Sequence, residues 1–210
     1  MKIPRQLRDA RQRLLWELAR NGHARAFRQL YRELSVPILH YVTSRLRSRT
    51  DAEDVTSDVF HKLVTSMGKY DPERGSVQAW VMALARNTLI DHVRRARPTE
   101  PIVHVADVLA DGARDALEQL IEQEDARFAY GILRRYPPEV REMFSLHFAH
   151  GLTYRDVATT MGLSEAAVKQ RFARTLRELR LELGAHKRAA APEPRGIVPS
   201  PRTHESPHTT

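Results

Sequence analysis

Glu165, Lys169, Gln170, Arg171 and Arg174 stand together on the polar side of a predicted helix, a set of types and spacings suited to a DNA groove. They occur in TYRDVATTMGLSEAAVKQRFARTLREL, residues 153–179. There Val168, Phe172, Leu176 and Leu179 recur at intervals of four and three and so share the opposite face. Upstream, Val157, Ala158, Gly162 and Leu163 predict a shorter helix and a tight turn that brings the two helices into contact. Ala158 is small enough for close approach, Gly162 accepts a positive φ, and Ser164 is a natural N-cap for the second helix. The layout is that of a helix-turn-helix whose second helix enters a major groove. The plain alternative is an αα-hairpin with a solvated basic face.

Arg86, Asn87, Asp91, His92, Arg94, Arg95 and Arg97 form a second cluster, on or near the outside of a long helix that Ser76 caps. Trp80, Val81, Leu84, Ala85, Leu89, Ile90 and Val93 point inward from it. The loop before this helix, from Met67 to Ser76, is rich in turn formers. A loop beside such a helix suits unpaired bases and the phosphates next to them. Against that stands a solvated face whose basic end merely complements the helix dipole. A third group, Asp54, Asp58 and His61 at i, i+4 and i+7, has ligand types, but no second cluster of comparable spacing accompanies it. The acidic stripe reads better as a docking surface for a basic partner.

The elements that must hold these groups read as all-α, because no run alternates with period two for long enough to make a strand. A helix in residues 1–23, marked by Leu7, Leu14, Leu15 and Leu18, ends at Asn21-Gly22. Phe27, Leu30, Tyr31 and Leu34 mark a second; Pro37 interrupts it, and Ile38, Tyr41, Val42 and Leu46 resume as a further helix or the same one kinked. Asp51 is expected to cap a helix with Val55, Val59, Phe60, Leu63 and Met67 inward. Residues 98–116 carry Glu100, Asp107, Asp111 and Asp115 with weak periodicity, a flexible acidic linker. Helical pattern returns from Leu117, and Pro137-Pro138 opens a helix closed by Gly151, on which His147 and His150 are expected at the surface. After Leu183 the pattern fades, and 184–210 is expected to be a disordered tail.

Composition bounds the function. A net charge of +8 over 210 residues favours a polyanionic partner. The absence of cysteine excludes disulfides, cysteine-ligated zinc and thiol sensing within this sequence. The first residues, with charges distributed throughout, are neither a signal peptide nor a membrane span, which makes a cytoplasmic protein without membrane insertion the default.

Four segments, in order, resemble a known family. AFRQLYRELSVPILHYV is similar to region 2.1 of the sigma-70 RNA polymerase sigma factors, and DAEDVTSDVFHKLVTSMGKYD to region 2.2. GSVQAWVMALARNTLIDHVRRAR resembles regions 2.3 and 2.4, and LRRYPPEVREMFSLHFAHGLTYRDVATTMGLSEAAVKQRFARTLREL resembles region 4. No room is left for region 1.1 or a folded region 3, so the resemblance is to the small extracytoplasmic-function type.

That resemblance implies two helical domains, region 2 over 24–97 and region 4 over 117–183. It implies a sigma factor that confers promoter specificity on an enzyme without catalytic residues, cofactor or metal of its own. Asp51, Asp54, Val55 and Asp58 would dock on the β′ clamp helices of core RNA polymerase, while region 4 would dock on the β flap. Lys69, Tyr70, Arg74, Ser76, Asn87, Asp91, His92, Arg94 and Arg95 would melt and hold the minus-ten element, at an unstacking cost of a few kcal/mol per base. Ser164, Glu165, Lys169, Gln170, Arg171 and Arg174 would read the minus-thirty-five element in duplex form. Promoter DNA and an anti-sigma factor complete the expected partners. The rival function is a stand-alone helix-turn-helix regulator that binds a palindromic duplex without polymerase; a metal-dependent nuclease using Asp54, Asp58 and His61 is more remote.

Overall fold

Side-chain caps start four of the helices, at Ser48, Ser76, Thr153 and Ser164. The computed structural model describes residues 4–96 and 123–190. Its helices are α1 (Arg5–Arg20), α2 (Ala24–Thr43), α3 (Arg49–Ser66), α4 (Val77–Ala96), α5 (Gln123–Leu133), α6 (Pro138–Phe144), α7 (Tyr154–Met161) and α8 (Glu165–Ala190). A 3₁₀ turn, Met67–Lys69, follows α3, and a π-helical turn, Ser145–Ala149, follows α6. Among the described residues there is no strand, as the missing period-two pattern predicts. The linker expected over 98–116, residues 117–122 and the tail from 191 onward lie outside the described residues.

Helix α1 ends at Asn21, and Gly22 follows with φ 87°, the left-handed turn expected of Asn-Gly. Its buried face differs from expectation. Leu7 and Leu14 are 63% and 62% exposed, while Gln12, Leu15 and Trp16 are buried. The largest apolar side chain of the helix is its indole, and α1 is rotated to bury it together with Leu15. Trp16 meets Tyr70 at 5.2 Å and Trp80 at 5.0 Å between ring centroids.

Pro37 lies inside a single continuous α2. Burial of Leu34, Ile38 and Tyr41 on either side offsets a penalty of about 3 kcal/mol for proline in a helix interior. In α3 the cap is Ser48, whose Oγ accepts from the Asp51 N–H at 3.2 Å. Asp51 therefore belongs to the first turn, where its charge complements the helix dipole, rather than to the cap position. Helix α8 runs on through Gly184 to Ala190, so residues 184–190 are not part of a disordered tail. Alanine, lysine and arginine favour helix there, Lys187 pairs with Asp125 at 2.6 Å, and His186 stacks on Phe128 at 4.0 Å.

Helices α1–α4 pack around Trp16, Leu30, Leu34, Ile38, Val59, Leu63, Met82 and Leu89. Helices α5–α8 pack around Ile132, Leu133, Phe144, Val157, Val168 and Phe172. The two units touch where α4 lies across α7. There Thr160 donates its hydroxyl to the Ala79 carbonyl at 3.2 Å, and Gln78 Nε2 donates to the His150 carbonyl at 2.8 Å.

Candidate nucleic-acid interface

The helix-turn-helix is built from short-range hydrogen bonds. Thr153 Oγ1 accepts from the Asp156 N–H at 3.1 Å, and Asp156 Oδ2 accepts from the Thr153 N–H at 3.3 Å, a reciprocal cap that starts α7. Gly162 ends it at φ 69°, and the Leu163 N–H returns to the Ala158 carbonyl at 2.9 Å. Ser164 Oγ then accepts from the Ala167 N–H at 3.2 Å and launches α8. Val157, Ala158, Val168 and Phe172 are buried between the helices, as their spacing predicts.

Ser164, Lys169, Gln170, Arg171 and Arg174 are exposed on the far side of α8, and Glu165 is half-buried beside them. Glu165 pairs with Lys169 at 2.6 Å and Arg174 with Glu178 at 3.4 Å. The Tyr136 hydroxyl, then Arg174, hold the Glu178 carboxyl below its usual range.

In the first unit the predicted residues separate into two sets. Lys69, Arg74, Asn87, Asp91, Arg94 and Arg95 are exposed, and His92 is half-buried. Tyr70 and Ser76 are buried and hold the loop in shape. Tyr70 donates to the Gly75 carbonyl at 3.1 Å, and its burial pushes the phenol pKa up. Ser76 Oγ accepts from the Ala79 N–H at 3.1 Å, the cap expected for α4, and donates to Asp156 Oδ1 at 2.9 Å.

The acidic stripe is divided in the same way. Asp54 and Asp58 are exposed and Asp51 is half-buried, whereas Val55 is 1% exposed and belongs to the core, anchoring α3 rather than offering a face. Lys62 pairs with Asp91 at 3.2 Å, and Arg95 Nη2 lies 3.9 Å from Asp58 Oδ2. Asp58, His61, Asp91, Arg94 and Arg95 line one shallow depression, so the acidic stripe of α3 and the basic end of α4 form one continuous surface. Among the described residues no cluster of three or more His, Asp or Glu side chains could hold a metal.

Two features escape sequence reasoning. A groove of about 410 Å³ between α2 and α3 is lined by Tyr31, Val36, Leu39, Glu53 and Phe60, with Val36 70% exposed. Its only signal is apolar residues lying off the buried stripe of α2. The second is the polar junction between the units. Glu142, 2% exposed on α6, accepts from Tyr41 at 3.0 Å and from Arg86 at 2.9 and 3.2 Å. Burial, then the charge of Glu142, raises the Tyr41 phenol far above its ordinary value. Burial works against the charge of Arg86, and Glu142 more than offsets it. A glutamate among Val140, Met143 and Phe144 is the trace this junction leaves in the sequence.

Comparison with known proteins follows these two surfaces. Residues 30–99 match Sigma-70 region 2 and residues 131–179 match Sigma-70, region 4. The ECF RNA polymerase sigma factor BldN of Streptomyces coelicolor is 29% identical over 176 residues, covering 81% of this chain and 65% of that protein. The ECF RNA polymerase sigma factor RpoE of Cereibacter sphaeroides is 30% identical over 157 residues, covering 74% of this chain and 84% of that protein. Among solved structures, CnrH in complex with the cytosolic domain of CnrY superposes with a TM-score of 0.54 at 26% identity, covering 83% of this chain and 98% of CnrH.

Proposed function

We propose, from the premise that this chain belongs to the ECF sigma factors of the sigma-70 family, that it binds core RNA polymerase and directs it to promoters through their minus-ten and minus-thirty-five elements. One observation carries this: region 2 and region 4 occur in order in one chain, and the second helix of a capped helix-turn-helix presents Lys169, Gln170, Arg171 and Arg174 to solvent. Those side chains, with Ser164 and Glu165, take the minus-thirty-five duplex, arginine and lysine serving guanine edges and phosphates, and glutamine serving adenine.

Lys69, Arg74, Asn87, Asp91, His92, Arg94 and Arg95 take the minus-ten strand, on a loop and helix set by Tyr70 and Ser76. The basic end of α4 supports this role, because it can follow a phosphate backbone while the neighbouring loop holds an unstacked base. Asp51, Asp54 and Asp58 face the polymerase β′ clamp helices, with the apolar groove of α2 and α3 extending that surface, and region 4 meets the β flap. The chain lends specificity to an enzyme and catalyses nothing itself.

CnrH was solved with the cytosolic domain of CnrY bound, and by extension an anti-sigma factor is proposed as a partner here. No helix of the described residues is long and apolar enough to cross a membrane, and the proposed site of action is the cytoplasm.

The test is run-off transcription by purified bacterial core polymerase on fragments of the source genome, with and without this protein. Transcripts that appear only on addition support the assignment, and their start sites map both elements. A protein that leaves the output of core unchanged but shifts a duplex alone is a stand-alone regulator instead.

A further inference from the structure

Within the contact between the two units sits a buried histidine without a counter-ion. His150 closes the turn after α6 and is 6% exposed. Its ring meets those of His40 and Tyr41, both on α2, at 5.5 Å each. Its Nε2 is buried with no hydrogen-bond partner among the described residues.

The charged and titratable groups around it come from both units. Helix α2 supplies His40 and Tyr41, and the turn just after it supplies Arg45, whose guanidinium lies 3.7 Å over the Tyr41 ring and donates to Ser145 at 2.9 Å. Helix α4 supplies the neutral Gln78 and also Arg86, which is matched by Glu142 of α6. The turn itself carries His147, whose Nδ1 lies 2.6 Å from the Leu152 carbonyl oxygen. Glu142 is engaged by Tyr41 and Arg86. A second proton on His150 would therefore meet cations and an apolar wall. Burial first, then Arg45 and His40, push its pKa down from 6.5 to about 3.

The closed arrangement also has a functional cost. The two promoter elements are named for positions roughly 25 base pairs apart, on the order of 85 Å along B-DNA. With α4 and α7 in hydrogen-bond contact the units cannot occupy both elements at once.

We propose that this junction is an acid-released latch: neutral His150 keeps the two units together, and protonation of its imidazole drives them apart, uncovering Ser76 and the adjoining face of α4. Its consequence for promoter binding rests on the sigma-factor assignment; the opening itself does not. The sign follows from linkage. The closed state excludes the proton and the open state binds it at the ordinary value, so the contribution of His150 to closure is full well above 6.5 and is lost as pH falls through and below it, approaching tenfold per unit. Asp156, held below the usual carboxylate range, stays charged throughout and does not contribute in this window.

Hydrogen exchange on the full chain without polymerase or DNA tests the latch alone. The Ser76 N–H donates across the junction to Asp156 at 3.1 Å, so its protection, corrected for intrinsic rate, reports the opening constant even when the open state is rare. Because half of the open state is already protonated at pH 6.5, protection is expected to fall about fivefold between pH 6.5 and 5.5 in the natural protein. It should stay flat in His150→Gln, while His40→Gln and His147→Gln keep the fall. Flat protection in the natural protein, or the same fall in His150→Gln, overturns the proposal. If His150→Gln shows no protection at any pH, the other two variants decide: loss of the fall in either moves the titration away from His150 and overturns it, and its retention in both supports it.

Discussion

Asp156 Oδ1 accepts both the backbone N–H of Ser76, at 3.1 Å, and its hydroxyl, at 2.9 Å. One carboxylate thus joins the first helix of the helix-turn-helix to the cap of α4, while its other oxygen receives Thr153 and the guanidinium of Arg5. Burial raises its pKa, but the hydrogen bonds from Ser76 and Thr153, with Arg5, outweigh burial and hold it below the ordinary 3.8. Its contribution is therefore present above about 3.8 and lost as pH falls through the lower folded value. Asp156→Asn should cost about 1–2 kcal/mol in urea unfolding at pH 7. The gap from the natural protein should close at more acid pH, and a gap of constant size would count against this account.

Glu142→Gln separates charge from shape at the same junction. The amide oxygen still accepts from Tyr41, but Arg86, largely buried on α4, loses its counter-ion. Breaking such a pair should weaken the closed arrangement by about 3 kcal/mol, the low end of the usual range, because Arg86 retains some access to water. Small-angle scattering should then show a larger radius of gyration with unchanged helical circular dichroism. An unaltered scattering profile would mean that the ion pair does not hold the units together.

Trp16→Ala should destabilise the first unit by about 3–5 kcal/mol, because a fully buried indole leaves a cavity that Tyr70 and Trp80 cannot fill without moving. Urea unfolding followed by Trp80 fluorescence measures it. A cost below about 1 kcal/mol would indicate that α1 is only loosely attached.

The helix-turn-helix was legible because its determinants are local. The Thr153 and Ser164 caps, Gly162 at the turn and the spacing of Val168 and Phe172 all act within a few residues. The orientation of α1 was not, since Leu7 and Leu14 form as plausible a stripe as Leu15 and Trp16 until the partner surface is known. Nor could periodicity reveal pairs such as Arg86 with Glu142 or Ser76 with Asp156, where the partner is supplied by the other unit. Arg86 reads as one more outward cation, and His150 as a surface residue, because pattern separates polar from apolar positions without saying which polar ones become buried. The same limit put Val55 and Tyr70 among the contact residues, when both pack inside.

Arg171 and Arg174 differ in what each must give up to reach DNA. Arg174 already holds Glu178 at 3.4 Å, and that pair must break or be shared before the guanidinium can serve a base or phosphate. Glu178 is in turn held by the Tyr136 hydroxyl, so it cannot simply follow the arginine. Arg171 stands exposed one helical turn after Ala167, on the same outward side as Lys169 and Gln170. Arg171→Ala should therefore cost the larger share of a base-specific contact, about 1–3 kcal/mol, and Arg174→Ala less. Transcription by core polymerase from a promoter that depends on its minus-thirty-five element measures both losses. Equal losses would mean that the Glu178 pair dissolves freely on DNA, and no loss from either would remove this face of α8 from the promoter contact.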